Sequence, residues 1–272
     1  MLILMQIWKK NMIKKKLVLF AGPCVIESIE ILNEIAKRIK EITDNNNIDF
    51  YFKASFDKAN RTSIHSYRGP GIGKGLEMLQ MIKQKYGVKI ITDIHEPYQA
   101  AEVARVVDVI QIPAFLCRQT DLLLAAGRTM KPILVKKGQF MSPYEVANII
   151  NKIESTGNKA IYICERGTSF GYNRLVVDMT GIHEMKKLGY PIVIDATHCN
   201  QLPGGNGDSS SGNSEYAEVI AKSAIAAGAD ALFFEVHPSP ADALSDGANM
   251  VNLDSFESIL NRVIKVYKAV NE

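Results

Sequence analysis

The stretch ILVKKGQFMSPYEVANIINKIESTGNKAIYIC, residues 133–164, carries the pattern from which the fold is read. Its ends, Ile133–Lys136 and Ala160–Cys164, are short and rich in β-branched residues. Between them Pro143–Ser155 places apolar side chains at helical spacing. Strand, loop, helix and strand thus fit within about 30 residues, the size of one βαβ unit. An almost uninterrupted apolar strand implies burial on both faces, and so a parallel sheet.

The same unit recurs in both directions along the chain. Strands are expected at Leu17–Phe20, Asp49–Lys53, Lys89–Asp93, Val107–Ile112, Ile133–Lys136, Ala160–Cys164, Ile192–Asp195 and Ala231–Glu235. Helical patterns include Ile29–Ile42, Gly75–Tyr86, Pro143–Ser155, Gly181–Leu188, Ser214–Ala227 and Leu253–Val270. Eight repeats of roughly 31 residues predict an α/β fold, the (β/α)8 TIM barrel, with an open doubly wound sheet as the alternative. Residues 1–13 are read as a short N-terminal extension and 14–272 as a single barrel catalytic domain. The low-complexity run at 204–214 is expected to be a loop over the barrel mouth.

Composition limits the function classes. The 272 residues are 47% hydrophobic and 22% charged, as in an ordinary globular protein. A net charge of +3 is too mild for a nucleic-acid surface but suits an anionic small substrate. Cys24, Cys117, Cys164 and Cys199 form no C-x-x-C pair, which points to unpaired thiols in a reducing compartment, the cytoplasm. No apolar run approaches the ~18 residues of a membrane span. The zincin-like His183-Glu184 lacks its second histidine, and Gly69–Gly75 fails the Walker A pattern, reading instead as a turn entering a helix.

Barrel chemistry gathers at the carboxyl ends of the strands. Six cations fall there: Lys53, Lys58, Arg61, Arg118, Lys136 and Arg166. Like charges brought together need anions among them, and this number suits two phosphates and a carboxylate. The strand ends also supply Cys24, His198 and Glu235, with Asp246 in the following loop. A thiolate, an imidazole and two carboxylates suit a divalent transition metal such as zinc, iron or manganese. Spacing alone leaves the other reading of Cys24 open, that of a small packing residue. His65, His95 and His237 are read as loop or supporting groups.

The runs AGPCVIES (21–28), KASFDKANRTS (53–63), TDIHEP (92–97), QIPAFLCRQTDLL (111–123), VKKGQF (135–140), ERGTSFGYNRLVVDM (165–179), DATHCNQLPGG (195–205) and EVHPSPADALSDG (235–247) touch all eight strand ends. Through them the chain resembles the 3-deoxy-D-manno-octulosonate 8-phosphate synthases from Leu17 to its C-terminus. That family implies a barrel enzyme, usually a homotetramer, condensing phosphoenolpyruvate with arabinose 5-phosphate for lipopolysaccharide synthesis. The resemblance implies that Lys136 and Arg166 grip the phosphoenolpyruvate phosphate. Lys53 and Lys58 would hold its carboxylate, with Gln111 and the Ala114 backbone. Asn60, Arg61 and Thr62 would take the arabinose 5-phosphate, with Arg118 reaching it from a neighbouring subunit, while Pro113 and Phe115 form the wall between substrates. Cys24, in place of an asparagine, selects the metal-requiring class, with Cys24, His198, Glu235 and Asp246 as ligands. His198 or a carboxylate of that set is expected to relay the proton. The rival is 3-deoxy-D-arabino-heptulosonate 7-phosphate synthase, which typically reads K-P-R-T-S where this chain has Lys58-Ala59-Asn60-Arg61-Thr62-Ser63. A Schiff-base aldolase and a non-catalytic phosphosugar-binding barrel are more distant alternatives.

Overall fold

A computed structural model describes residues 16–170, 174–203 and 211–271. The extension at 1–13 and most of the 204–214 loop lie outside the described residues. Eight parallel strands form the barrel: β1 (Val18–Gly22), β2 (Asp49–Lys53), β3 (Lys89–Asp93), β4 (Val109–Ile112), β5 (Ile133–Lys136), β6 (Ile161–Glu165), β7 (Ile192–Asp195) and β8 (Ala231–His237). Each pairs with the next, and β8 returns to β1 with Val18 opposite Ala231 and Gly22 opposite Glu235. The sheet is therefore closed, which excludes the open doubly wound alternative.

Helices cover the outside: α1 (Ile29–Asn45), α2 (Ile72–Tyr86), α3 (Gln99–Val103), α4 (Thr120–Arg128), α5 (Val146–Glu154), α6 (Met179–Lys186), α7 (Tyr216–Ala226) and α8 (Leu253–Asn271). In α1 the buried Leu32, Ile35, Ala36, Ile39 and Ile42 follow the helical period, and Ser28 caps the first turn by accepting from the Ile31 N–H. The helix expected at Pro143–Ser155 begins as a 3-10 turn, Pro143–Glu145, under a Ser142/Glu145 capping box, and continues as α5. No helix among the described residues is long and apolar enough to cross a membrane.

The pleat of the strands separates two cores. Outward residues such as Leu19, Phe52, Ile110, Val135, Ile163, Ile194 and Phe234 pack beneath the helices. Inward residues Val18, Phe20, Tyr51, Ile91, Val109, Leu134, Tyr162, Val193 and Phe233 fill the barrel. Two residues beyond these, the same face presents Lys53, Asp93, Gln111, Lys136, Asp195 and Glu235, all of which line one cavity at the carboxyl end. Apolar layers below and a charged layer on top thus follow from alternation alone. Gly22 completes the layer on β1, where a Cβ would stand 2.0 Å from the Lys53 carbonyl oxygen.

Candidate active site

Lys53 is the most enclosed of the cations, with 1% of its side chain exposed. Its Nζ donates to Glu235 Oε1 at 2.6 Å and to the Cys24 carbonyl at 2.7 Å, with the Pro23 carbonyl at 3.5 Å. The ammonium therefore has a partner for each of its three protons. Lys58 stands 3.9 Å from the same Glu235 oxygen and opens onto the cavity. Burial works against its charge, but Cys24, Glu235 and Asp93 outweigh burial and hold it above the ordinary lysine range. Lys136 pairs with Asp195 and lies over the Phe233 ring, 3.2 Å from its centroid. The Arg166 Nη2 donates to Gln201 Oε1, while its buried Nη1 has no partner among the described residues. Arg61 donates to Ser245 Oγ at 2.9 Å and lies 3.5 Å from Asp246.

Five of the six expected cations thus share one cavity with Asn60, Thr62, Gln111, Pro113, Ala114 and Phe115. Arg118 does not join them. The Ala114–Leu116 3-10 turn buries Cys117 and turns the next residue outward, so Arg118 is exposed and its carbonyl accepts from Lys152.

Asp195 joins two parts of the site. Besides Lys136 it accepts from the His198 backbone N–H and contacts His198 Nδ1 at 2.7 Å. Burial opposes its ionisation, yet His198 and Lys136 hold it well below the usual carboxylate range. The His198 Nε2 faces Glu235 Oε2 at 3.4 Å and Asp246 Oδ2 at 3.7 Å. Burial favours the neutral ring, but Asp195 and Glu235 raise its pKa. Glu235 is likewise pulled down to about 2, against its burial, by His198, Lys53 and Lys58.

Cys24, Glu235 and Asp246 each offer one ligand atom, and these atoms lie within 4.8 Å of one another. The Cys24 Sγ lies 3.0 Å from Ser245 Oγ and 3.4 Å from Asp246 Oδ2. Burial, then Glu235, pushes its thiol up, so without a cation it stays protonated. Glu235 Oε2 is buried with no hydrogen-bond partner among the described residues. An orphaned carboxylate oxygen beside a thiol, a second carboxylate and an imidazole fits a divalent transition metal.

Several groups at the cavity have no individual role in the sequence reading, where His95 is only a loop or supporting group. Asp93 and His95 form a pair, Nε2 to Oδ2 at 3.1 Å, and Gln139 and Gln201 also line the wall. Burial resists the Asp93 charge, but His95 and Lys58 lower its pKa. The signal for Asp93 and Asp195 was available: each lies two residues beyond an inward apolar residue on its strand. His95, Gln139 and Gln201 sit on loops, where no such parity applies.

Residues 10–272 match the DAHP synthetase I family. The chain belongs to that family. Relatives named 2-dehydro-3-deoxyphosphooctonate aldolase cover it almost end to end. The protein of that name from Fusobacterium nucleatum is 54% identical over 257 residues, 94% of this chain and 92% of the relative. The Campylobacter jejuni protein (serotype O:6) is 47% identical over 269 residues, 95% of this chain and 99% of the relative.

Proposed function

We propose that the chain is a 3-deoxy-D-manno-octulosonate 8-phosphate synthase, joining phosphoenolpyruvate, D-arabinose 5-phosphate and water and releasing inorganic phosphate. The observation that carries this reading is the cavity in which Lys58, Arg61, Lys136 and Arg166 face a carboxylate-rich wall, in a chain whose relatives bear the corresponding name. The methylene carbon of phosphoenolpyruvate attacks the aldehyde carbon of the open-chain pentose, whose oxygen gains charge and is protonated. Water adds to the enol-phosphate carbon, and the bond between that carbon and the phosphate oxygen then breaks.

In this reading Lys136 and Arg166 hold the phosphoenolpyruvate phosphate, Lys58 and Gln111 its carboxylate, and Asn60, Arg61 and Thr62 the pentose phosphate; their shared cavity supports it. Fixing both anions in one orientation removes much of the entropic barrier. Lys53, already paired with Glu235, supports the carboxylate end through charge. Cys24, His198, Glu235 and Asp246 would hold a divalent ion, zinc, iron or manganese, as in the metal-requiring class. Such an ion polarises oxygen ligands and lowers the pKa of bound water. The His198 Nδ1–H bond to Asp195 suits a ligating imidazole, since it fixes the ring and leaves Nε2 for the ion. A histidine whose Nδ1–H is held by Asp195 and whose Nε2 faces the ion has no free nitrogen with which to relay a proton. That leaves a carboxylate of the set, with His95, whose buried Nδ1 has no partner among the described residues, as a further candidate for the relay.

The exposed Arg118 supports an assembly, proposed as a homotetramer, in which Arg118 of the partner subunit reaches the pentose phosphate. The four buried, unpaired cysteines support a cytoplasmic location. Phosphate release from phosphoenolpyruvate, measured with D-arabinose 5-phosphate and with D-erythrose 4-phosphate, tests the assignment. Arabinose 5-phosphate is expected to be strongly preferred. Preference for the tetrose would replace the reading with the heptulosonate synthase, and borohydride trapping of a substrate adduct would replace it with a Schiff-base aldolase.

A further inference from the structure

Directly behind the phosphate-gripping pair lies a second pair of charges that does not line the cavity. Lys137 follows Lys136 and Glu165 precedes Arg166, so strand parity turns both toward the helix layer. There they are buried, at 1% and 3% exposure, among neighbours such as Val135 and Ile163. The Lys137 Nζ lies 3.5 Å from Glu165 Oε2. It also donates to the Met141 carbonyl and Thr168 Oγ1, each at 3.1 Å, with the Gly138 carbonyl at 3.5 Å. Glu165 Oε1 accepts from the Gly167 N–H at 2.6 Å.

A buried ion pair is a poor means of raising stability, because desolvating both charges offsets their attraction and a well-packed apolar pair often does as well. This pair does something an apolar one cannot. Glu165 closes the tight turn that carries Arg166, a turn completed by Gly167 at φ +88°. Lys137 closes the turn from Gly138 to Met141 just beyond Lys136. The two turns are stitched at one further point, where the Ser169 N–H donates to the Gln139 carbonyl. Among the described residues only Gln201 hydrogen-bonds the Arg166 guanidinium, so its bearing depends on the turn beneath it.

We propose that Lys137 and Glu165 are positioning residues that set the separation and bearing of Lys136 and Arg166, and so tune the affinity of this end of the cavity for a phosphate group. Naming that group as the phosphate of phosphoenolpyruvate rests on the function proposed above. The strut itself rests only on the geometry between β5 and β6.

The test compares the intact enzyme with Lys137→Met, Glu165→Gln and the double variant Lys137→Met/Glu165→Gln, which removes both charges at nearly constant volume. Three quantities are read: KM for each substrate, kcat, and the affinity for inorganic phosphate by calorimetric titration. The double variant is expected to keep its thermal midpoint within a few degrees of the parent. Its KM for phosphoenolpyruvate and its phosphate dissociation constant should both rise about tenfold, while KM for the pentose phosphate changes less than about twofold. Unchanged phosphate affinity, or equal loss for both substrates, would overturn the proposal, as would an effect explained entirely by a lowered midpoint. If the parent enzyme turns over neither aldose, the functional assignment fails, and the phosphate titration alone decides the strut.

Discussion

The Lys53 ammonium and the Glu235 carboxylate meet at 2.6 Å with neither side chain appreciably exposed. Removing Lys53 leaves the buried Glu235 charge with the longer contacts to Lys58 and His198. Lys53→Met is therefore expected to destabilise the fold by about 3–5 kcal/mol. Lys53→Met/Glu235→Gln should recover much of that loss in denaturant unfolding while remaining inactive. A single variant as stable as the parent would show that Lys58 and His198 hold the Glu235 charge without Lys53.

Arg61 reaches Ser245 and Asp246 from the loop after β2 and faces the cavity. Hydrogen bonds to charged groups are worth about 1.5–3 kcal/mol, so Arg61→Ala should raise KM for arabinose 5-phosphate about 10- to 100-fold. Steady-state kinetics should show a much smaller change for phosphoenolpyruvate. Equal losses would move Arg61 out of the pentose-phosphate site.

Asp195 holds Lys136 and His198 together. Asp195→Asn keeps the shape but removes the charge both partners answer, and it can present an N–H where His198 donates. Turnover is expected to fall about 10- to 100-fold, the loss typical of groups that orient a ligating imidazole, which is the role proposed for His198. Unchanged kcat would mean that neither partner needs it.

Treatment with a chelator should bring turnover close to background, and adding back zinc, iron(II) or manganese should restore it. Elemental analysis of Cys24→Ala should show less bound metal per chain than the parent. A chelated enzyme at full rate would return Cys24 to the role of a packing residue.

On the outer surface, Glu218 accepts two hydrogen bonds from Arg262 and pairs with Lys222. The Arg262 hydrogen bonds chiefly, then Lys222, bring its pKa from 4.5 down to about 2. A carboxyl lowered on folding adds stability above its unfolded pKa and loses it as pH falls from about 4.5 toward 2. Solvent screening limits the gain to about 1 kcal/mol or less. Carboxyl NMR titration should show the low value, and Arg262→Ala should return it toward the ordinary range.

The strands could be read from the chain because burial on both faces makes each a compact apolar run, and the observed ends lie within two residues of expectation. The expected start at Val107 moved to Val109 because Val107 still bonds back to the Val103 carbonyl of α3. Helices α3 and α4 were not read. The first is a single short turn, and neither has a side-chain cap to mark its start. At the site, residues on the strands were legible because parity assigns their direction. The outward turn of Arg118 and the inward placement of His95 and Gln201 depend on loop conformation, which no periodicity encodes. The Lys137–Glu165 pair was hidden for the opposite reason: parity sends it into a layer where charges are not expected.

Because the charged layer is produced by alternation, the strands have a reading frame. One residue inserted into β3 would swing Asp93 into the helix shell and bring Thr92 to the mouth, and the same holds for Lys136 or Asp195 on their strands. Turns at the opposite end of the barrel carry no such constraint and can change length without rotating the tips. Deletions and insertions should therefore be tolerated at one end of this barrel and lethal within its staves, and any regrafting of the site onto another barrel must carry whole strand tips in phase.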